Sequence, residues 1–182
     1  SMIFLMQYLC EKYSSDSKVQ ALVDNREFFI IPCLNPDGWE YNRTTTGVGG
    51  EWRKNRRLIT GSTYGVDLNR NWSVNWGNCA APIQGSAASC GSGTASSDTY
   101  YGPNAFSEPE TQAIRNFVTT RNIVAAIDQH AYGPYYSLPL GRSSLNTLSN
   151  TPGITVLDSI FYNKTAALMG KYNGMRSGNS YQ

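Results

Sequence analysis

The chain of 182 residues contains a single histidine, His130, and that scarcity removes more chemistry than any other feature. No site inside the chain can use two imidazoles, so a self-contained two-His zinc centre or a His pair is excluded. Cysteine is sparse too. None of the four forms a C-x-x-C pair, which leaves cysteine–zinc sites and thioredoxin-type chemistry without support. Charged residues make up 15%, against about 25% in ordinary globular domains. Fifteen Lys and Arg against 13 Asp and Glu give a net charge of +2, too small for a nucleic-acid or membrane-surface role by itself. No apolar run reaches the ~18 residues needed to span a bilayer. The longest, residues 2–10, lacks the basic flank and the small-residue cleavage site of a signal peptide, and reads as the start of a buried helix. Ser1 before Met2 reads as a cloning remnant.

What is present is enough to build a core. Hydrophobic residues reach 40%, with 12 Tyr, 6 Phe and 4 Trp, which argues for one ordered domain. The pattern predicts a buried helix over 2–13 and a short helix around 19–23. A buried strand is expected over 27–34 (EFFIIPCL), its ladder interrupted by Pro32. Asn35-Pro36-Asp37-Gly38 has turn chemistry at every position. Residues 39–104 read as a long ordered loop region, since Trp39, Trp52, Trp72 and Trp76 are spread through or beside it. Ser107 and Glu110 have the spacing of a capping box, opening a helix to about 121 with Ile114, Phe117 and Val118 on one face. An apolar strand at 124–127 delivers His130 at its end, a strand follows at 135–140, and a last helix spans 154–171 with Leu157, Ile160, Phe161 and Leu168 inward. The alternation is α/β. Cys79 and Cys90 bracket a Gly-, Ala- and Ser-rich loop where a disulfide fits, while Cys10 and Cys33 read as buried free thiols. Glycosylation triplets begin at Asn42, Asn71 and Asn163. The balance favours an extracellular or secretory protein.

Three segments carry candidate chemistry. His130 reads as a metal ligand, a proton carrier or a hydrogen-bonded interior residue. Trp52-Arg53-Lys54-Asn55-Arg56-Arg57 holds four cations, either a solvated or phosphate-binding run or one that fixes an Arg beside an aromatic ring to polarise a carbonyl. Gly65-Val66-Asp67-Leu68-Asn69-Arg70-Asn71-Trp72 suits either a carboxylate grip, since a guanidinium forks onto a carboxylate, or a loop satisfying its own backbone.

Taken in order, these segments resemble the zinc metallocarboxypeptidases of the carboxypeptidase A type. The matching pieces are Asn-Pro-Asp-Gly at 35–38, Trp-Arg-Lys-Asn-Arg at 52–56, the Gly-Val-Asp-Leu-Asn-Arg-Asn-Trp run at 65–72, Tyr-Tyr-Gly-Pro with Phe-Ser-Glu-Pro-Glu-Thr at 100–111, and Asp-Gln-His-Ala-Tyr at 128–132. The resemblance implies part of a mixed-sheet, three-layer αβα fold, with residues 1–182 forming a single incomplete catalytic domain. It implies zinc as cofactor, with His130 as one of three ligands. Arg53 would polarise the scissile carbonyl and stabilise the tetrahedral intermediate. Asn69 and Arg70 would grip the substrate's terminal carboxylate, Tyr132 would line the cleft, and Asp67 would orient a zinc-bound His.

The departures matter as much. The family's early His-x-x-Glu motif is absent, and the chain stops before its cleft Tyr and general-base Glu. Ala131 stands where a Ser usually follows the zinc His, and the resemblance places a cis peptide at Ala131–Tyr132. The resemblance therefore implies a segment of an enzyme that removes C-terminal residues from peptides and proteins, with the isolated chain inactive and self-association through unpaired strand edges. The alternative is a catalytically inactive relative that binds peptide C-terminal carboxylates. Nucleic-acid binding through residues 53–57 is disfavoured by the small net charge.

Overall fold

The computed structural model describes residues 2–45, 50–74, 76–78, 91–130, 135–137, 156–174 and 176–178. The chain divides after Gly65 into two compact units, Ser1–Gly65 and Val66–Gln182.

The first unit opens with helices α1 (Met2–Lys12) and α2 (Ser17–Asn25). Asp16 caps α2, its Oδ1 accepting from the amides of Lys18 at 2.9 Å and Val19 at 3.4 Å, donors that a helix start otherwise leaves unpaired. The Tyr13 hydroxyl donates to Asp24 Oδ1 at 2.8 Å, and that hydrogen bond, with the carboxylate's charge, pushes the phenol up. The expected helix at 2–13 is present, but its expected burial is not. Ile3 is 70% and Phe4 68% exposed, and α1 buries no residue. The strand expected at 27–34 is likewise not formed, and Phe28, Phe29, Ile31 and Cys33 are exposed. A buried strand needs ladder partners and covering layers, and the described residues provide neither for this segment.

Asn35-Pro36-Asp37-Gly38 is a helix start rather than a free turn. Asn35 accepts from the Trp39 amide through its carbonyl at 3.0 Å and from the Gly38 amide through Oδ1 at 3.0 Å. Pro36 then opens α3 (Pro36–Thr45). Asn and Pro favour turns and helix starts for the same reasons, a capping oxygen and a pre-set φ. The hairpin of β1 (Leu58–Thr60) and β2 (Thr63–Tyr64) is antiparallel and turns at Gly61, φ +53°. The region expected as loop thus holds most of a helix and a hairpin.

The second unit begins with a single 3₁₀ turn, Leu68–Arg70, followed by α4 (Pro109–Thr119). Its parallel pairing joins β3 (Tyr135–Ser137) to β4 (Arg176–Gly178), with α5 (Val156–Asn173) lying between them in sequence. Parallel strands need such a crossover, so this is a βαβ unit and the class is α/β, as the sequence pattern predicts. Residues 124–127 form no strand, and Val124 and Ile127 are 80% and 67% exposed. Leu157, Ile160, Phe161 and Leu168 of α5 are also exposed rather than inward. Parallel sheets bury apolar strands and helix faces only when layered on both sides, and the three-residue pairing of β3 with β4 is too small to do so.

The capping box is replaced by a different arrangement. Glu108 is the N-cap of α4 and makes no side-chain cap bond, while Pro109 takes the first helical position. The Ser107 hydroxyl donates to Glu108 Oε1 at 2.6 Å, and the Glu108 amide donates to Asn71 Oδ1 at 3.2 Å. The Cys79–Cys90 disulfide, the Ala131–Tyr132 peptide and Tyr132 itself lie outside the described residues.

Candidate functional site

Arg53 is exposed on a segment whose neighbours are locked. Lys54 and Asn55 are buried, and Trp52 is half-buried. Asn42 of α3 grips the Trp52 backbone from both sides: its Nδ2 donates to Trp52 O at 2.8 Å, and the Trp52 amide donates to its Oδ1 at 3.0 Å. That is the pairing a strand neighbour would make, supplied by one side chain. Trp52 Nε1 donates to Asn55 O at 3.2 Å and Asn35 Nδ2 to Lys54 O at 3.0 Å. The Arg56 guanidinium lies 3.7 Å from the Tyr41 ring centroid, 4.5 Å from Tyr64 and 4.6 Å from Trp52, an enclosed cation–π arrangement. Gly65 (φ +86°) completes the frame, because a Cβ there would lie 2.6 Å from Lys54 Cβ and collide with Asn55 O. The basic run is therefore not one solvated face. Lys54 and Arg56 are packing residues, whereas Arg53 and Arg57 are exposed.

In the second unit Asp67 is buried and caps the 3₁₀ turn, its Oδ1 accepting from the Asn69 amide at 3.0 Å. The Asp67 amide donates to Tyr100 O at 2.8 Å, and the Arg70 amide donates to Asp67 O at 2.9 Å. This places Asn69 exposed and Arg70 half-buried on consecutive positions of a short rigid turn. Arg70 Nη1 donates to Asn69 O at 3.1 Å, while Nε is buried with no hydrogen-bond partner. The side-chain stem passes Gly91 (φ +84°), where a Cβ would sit 3.1 Å from Arg70 Cγ and 3.2 Å from Cδ. A guanidinium on a confined stem suits a planar anion that can accept from two nitrogens at once.

His130 is exposed, its Nε2 3.3 Å from Asp128 Oδ2. Among the described residues no group of three His, Cys, Asp or Glu side chains is placed to hold a metal ion. A catalytic zinc site needs three protein ligands, so the described residues do not by themselves fit a zinc centre. Asp67, Asn69 and Arg70 lie on one short turn. Asp67 is engaged with the turn's own backbone, at the Asn69 amide.

The sequence reading assigns no packing role to Asn42, Arg56 or Asn71, all of them half-buried or buried. The signal for Asn42 and Asn71 lay in the glycosylation triplets, but the structure gives both amides to protein backbone and side chains instead. No described helix is long and apolar enough to cross a membrane.

Comparison with known proteins agrees with the motif order. The zinc carboxypeptidase family model matches residues 1–182. Zinc carboxypeptidase A 1 of Drosophila melanogaster is 35% identical over 133 residues, 72% of this chain and 28% of its own. Carboxypeptidase O of Bos taurus is 32% identical over 141 residues, 76% of this chain and 34% of its own. The crystal structure of thrombin activatable fibrinolysis inhibitor (TAFI) matches with a TM-score of 0.73 at 22% identity, covering 97% of this chain and 41% of that one. The chain thus spans about a third of the length of the curated relatives it matches. Its fold is part of the mixed α/β carboxypeptidase fold, and by a match running over its whole length the chain belongs to the zinc carboxypeptidase family.

Proposed function

We propose that this chain is a segment of one metallocarboxypeptidase catalytic domain, and that the whole protein hydrolyses C-terminal amino acids from peptides and proteins in the secretory pathway or outside the cell. The observation that carries this reading is the Asp67-capped turn, which holds Asn69 exposed and Arg70 half-buried on consecutive positions. Such a pair recognises a terminal carboxylate, and a carboxylate anchor at the chain end directs cleavage to the last peptide bond. Arg53, held outward by its locked neighbours, is assigned to the scissile carbonyl, where a fixed cation stabilises the oxyanion that develops. Tyr132 is assigned to the cleft wall.

His130 is assigned as a single zinc ligand. With Nε2 turned to Asp128, Nδ1 is the ring nitrogen left to bind, and a carboxylate on the other nitrogen is the usual partner of a metal-bound imidazole. The described residues do not assemble a zinc centre, and the isolated 182-residue chain is expected to show no turnover.

The test is protein expressed from the complete reading frame, assayed on a blocked peptide with a free C-terminus. Chelator-sensitive release of the last residue, abolished by Arg53→Gln and Arg70→Gln, is the expected result. Binding without release would assign the protein to the non-cleaving carboxylate binders, and turnover indifferent to Arg70 would overturn the carboxylate grip.

A further inference from the structure

Asn71 follows Arg70 directly and is fully buried, although it is polar and lies in a loop. Its Nδ2 donates to Tyr101 O at 2.9 Å, Asn104 O at 3.0 Å and Ser107 Oγ at 2.9 Å. Its Oδ1 accepts from the Glu108 amide at 3.2 Å and the Thr111 hydroxyl at 2.7 Å. Two N–H bonds and two lone pairs are all that an amide has, so nothing is left for a ligand. Its backbone is used as well. Asn71 O accepts from the Phe106 amide at 2.7 Å, and the Asn71 amide closes the 3₁₀ turn on Leu68 O at 3.3 Å.

The partner segment is shaped to reach it. Phe106 holds φ +53°, a left-handed conformation that bulky residues adopt only where surroundings over-determine it. Its amide is held by Asn71 O and its carbonyl by Gln112 Nε2 at 2.9 Å, while its ring packs edge-on to Trp72 at 5.7 Å. Gly102 (φ +86°) permits the close approach, because a Cβ there would fall 2.5 Å from Ser107 Oγ and 2.8 Å from Asn71 Nδ2. A single 3₁₀ turn has too few internal bonds to fix its own direction. This one is tied at both ends to the segment after residue 99, through the Asp67 amide on Tyr100 O and through Asn71.

We propose that Asn71 is the positioning residue for the Asn69–Arg70 pair, and thereby sets how strongly this chain distinguishes a free C-terminal carboxylate from its amide. The inference rests on the reading of Asn69 and Arg70 as the carboxylate grip. Asn71 touches no substrate; it aims the residues that do.

The experiment is calorimetry on the 182-residue chain with a blocked dipeptide bearing a free carboxylate and with the same dipeptide amidated. Asn71→Asp keeps size and acceptor but turns an oxygen onto two carbonyls. Thr111→Val removes one donor at constant shape and is the second variant, used where the Asp variant does not fold. Loss of one such bond is expected to lower the acid-to-amide affinity ratio about threefold in Thr111→Val and about tenfold in Asn71→Asp, with affinity for the amide unchanged. Arg70→Gln should abolish the ratio. If Arg70→Gln abolishes it while every folded variant of Asn71 and Thr111 keeps it, the positioning role is overturned and the carboxylate grip stands. Equal or undetectable binding of acid and amide by the unaltered chain overturns the grip, and this inference with it.

Discussion

The loops around Asn55 and Asn71 and the apolar helices α1 and α5 reverse the usual order of inside and outside. Lys54, Asn55, Asp67, Asn71, Glu108 and Thr111 are buried, all but Thr111 outside the helices and strands, while Phe4 and Phe161 stand more than half exposed on regular helices. The difference teaches what each kind of segment needs. A polar loop can close on itself, because a buried amide is stable once each donor and acceptor is matched within the same unit. An apolar helix face has no such local solution and is buried only by another layer.

Four experiments break or sharpen that contrast. Gly102→Ala should have the largest effect. It places a Cβ at positive φ against Ser107 and Asn71, and the combined strain and overpacking should cost about 3 kcal/mol in chemical denaturation. A cost below about 1 kcal/mol would mean that the loop is not closely packed. Arg56→Ala comes next, since it empties the space among Tyr41, Trp52 and Tyr64. About 2 kcal/mol of stability should be lost, with Arg56→Lys restoring part of it. Phe4→Ser on α1 should shift stability by about 0.5 kcal/mol or less, as at ordinary exposed positions. Light scattering should show it reducing self-association, since an exposed apolar residue is removed.

The smallest effect belongs to Glu40 and Arg43, an exposed fork with bonds of 2.6 and 2.8 Å. The hydrogen bonds from Arg43 hold the Glu40 carboxyl below its ordinary value. Its contribution is therefore present above the ordinary carboxylate range and lost as pH falls through the lowered value. NMR titration of Glu40 should show that downward displacement, reduced in Arg43→Gln and by added salt.

How much was legible from sequence follows the same line. The α/β class, α2, α4 and α5 came from periodicity, and the family came from five ordered motifs. The motifs were readable because each carries its interactions within a few residues, as Asp67 does with Asn69. The buried strands at 27–34 and 124–127 were misjudged because apolar runs report what a segment would bury, not whether a neighbour covers it. Asn35 reads as a turn residue because capping and turning draw on the same residue types. The packing roles of Asn71 and Arg56 are not legible, because the partners of Asn71 lie 30 to 40 residues away and those of Arg56 are three separate aromatic residues.

The sequence by itself determined the family, the order of the motifs and the scarcity of imidazole, since these are properties of residue type and spacing. Only the tertiary structure decided which members of the basic run are packing residues and which are exposed, and that one asparagine is enclosed by five partners. Those choices depend on where carbonyls, rings and hydroxyls distant in sequence arrive in space, and a buried amide is committed only when they do.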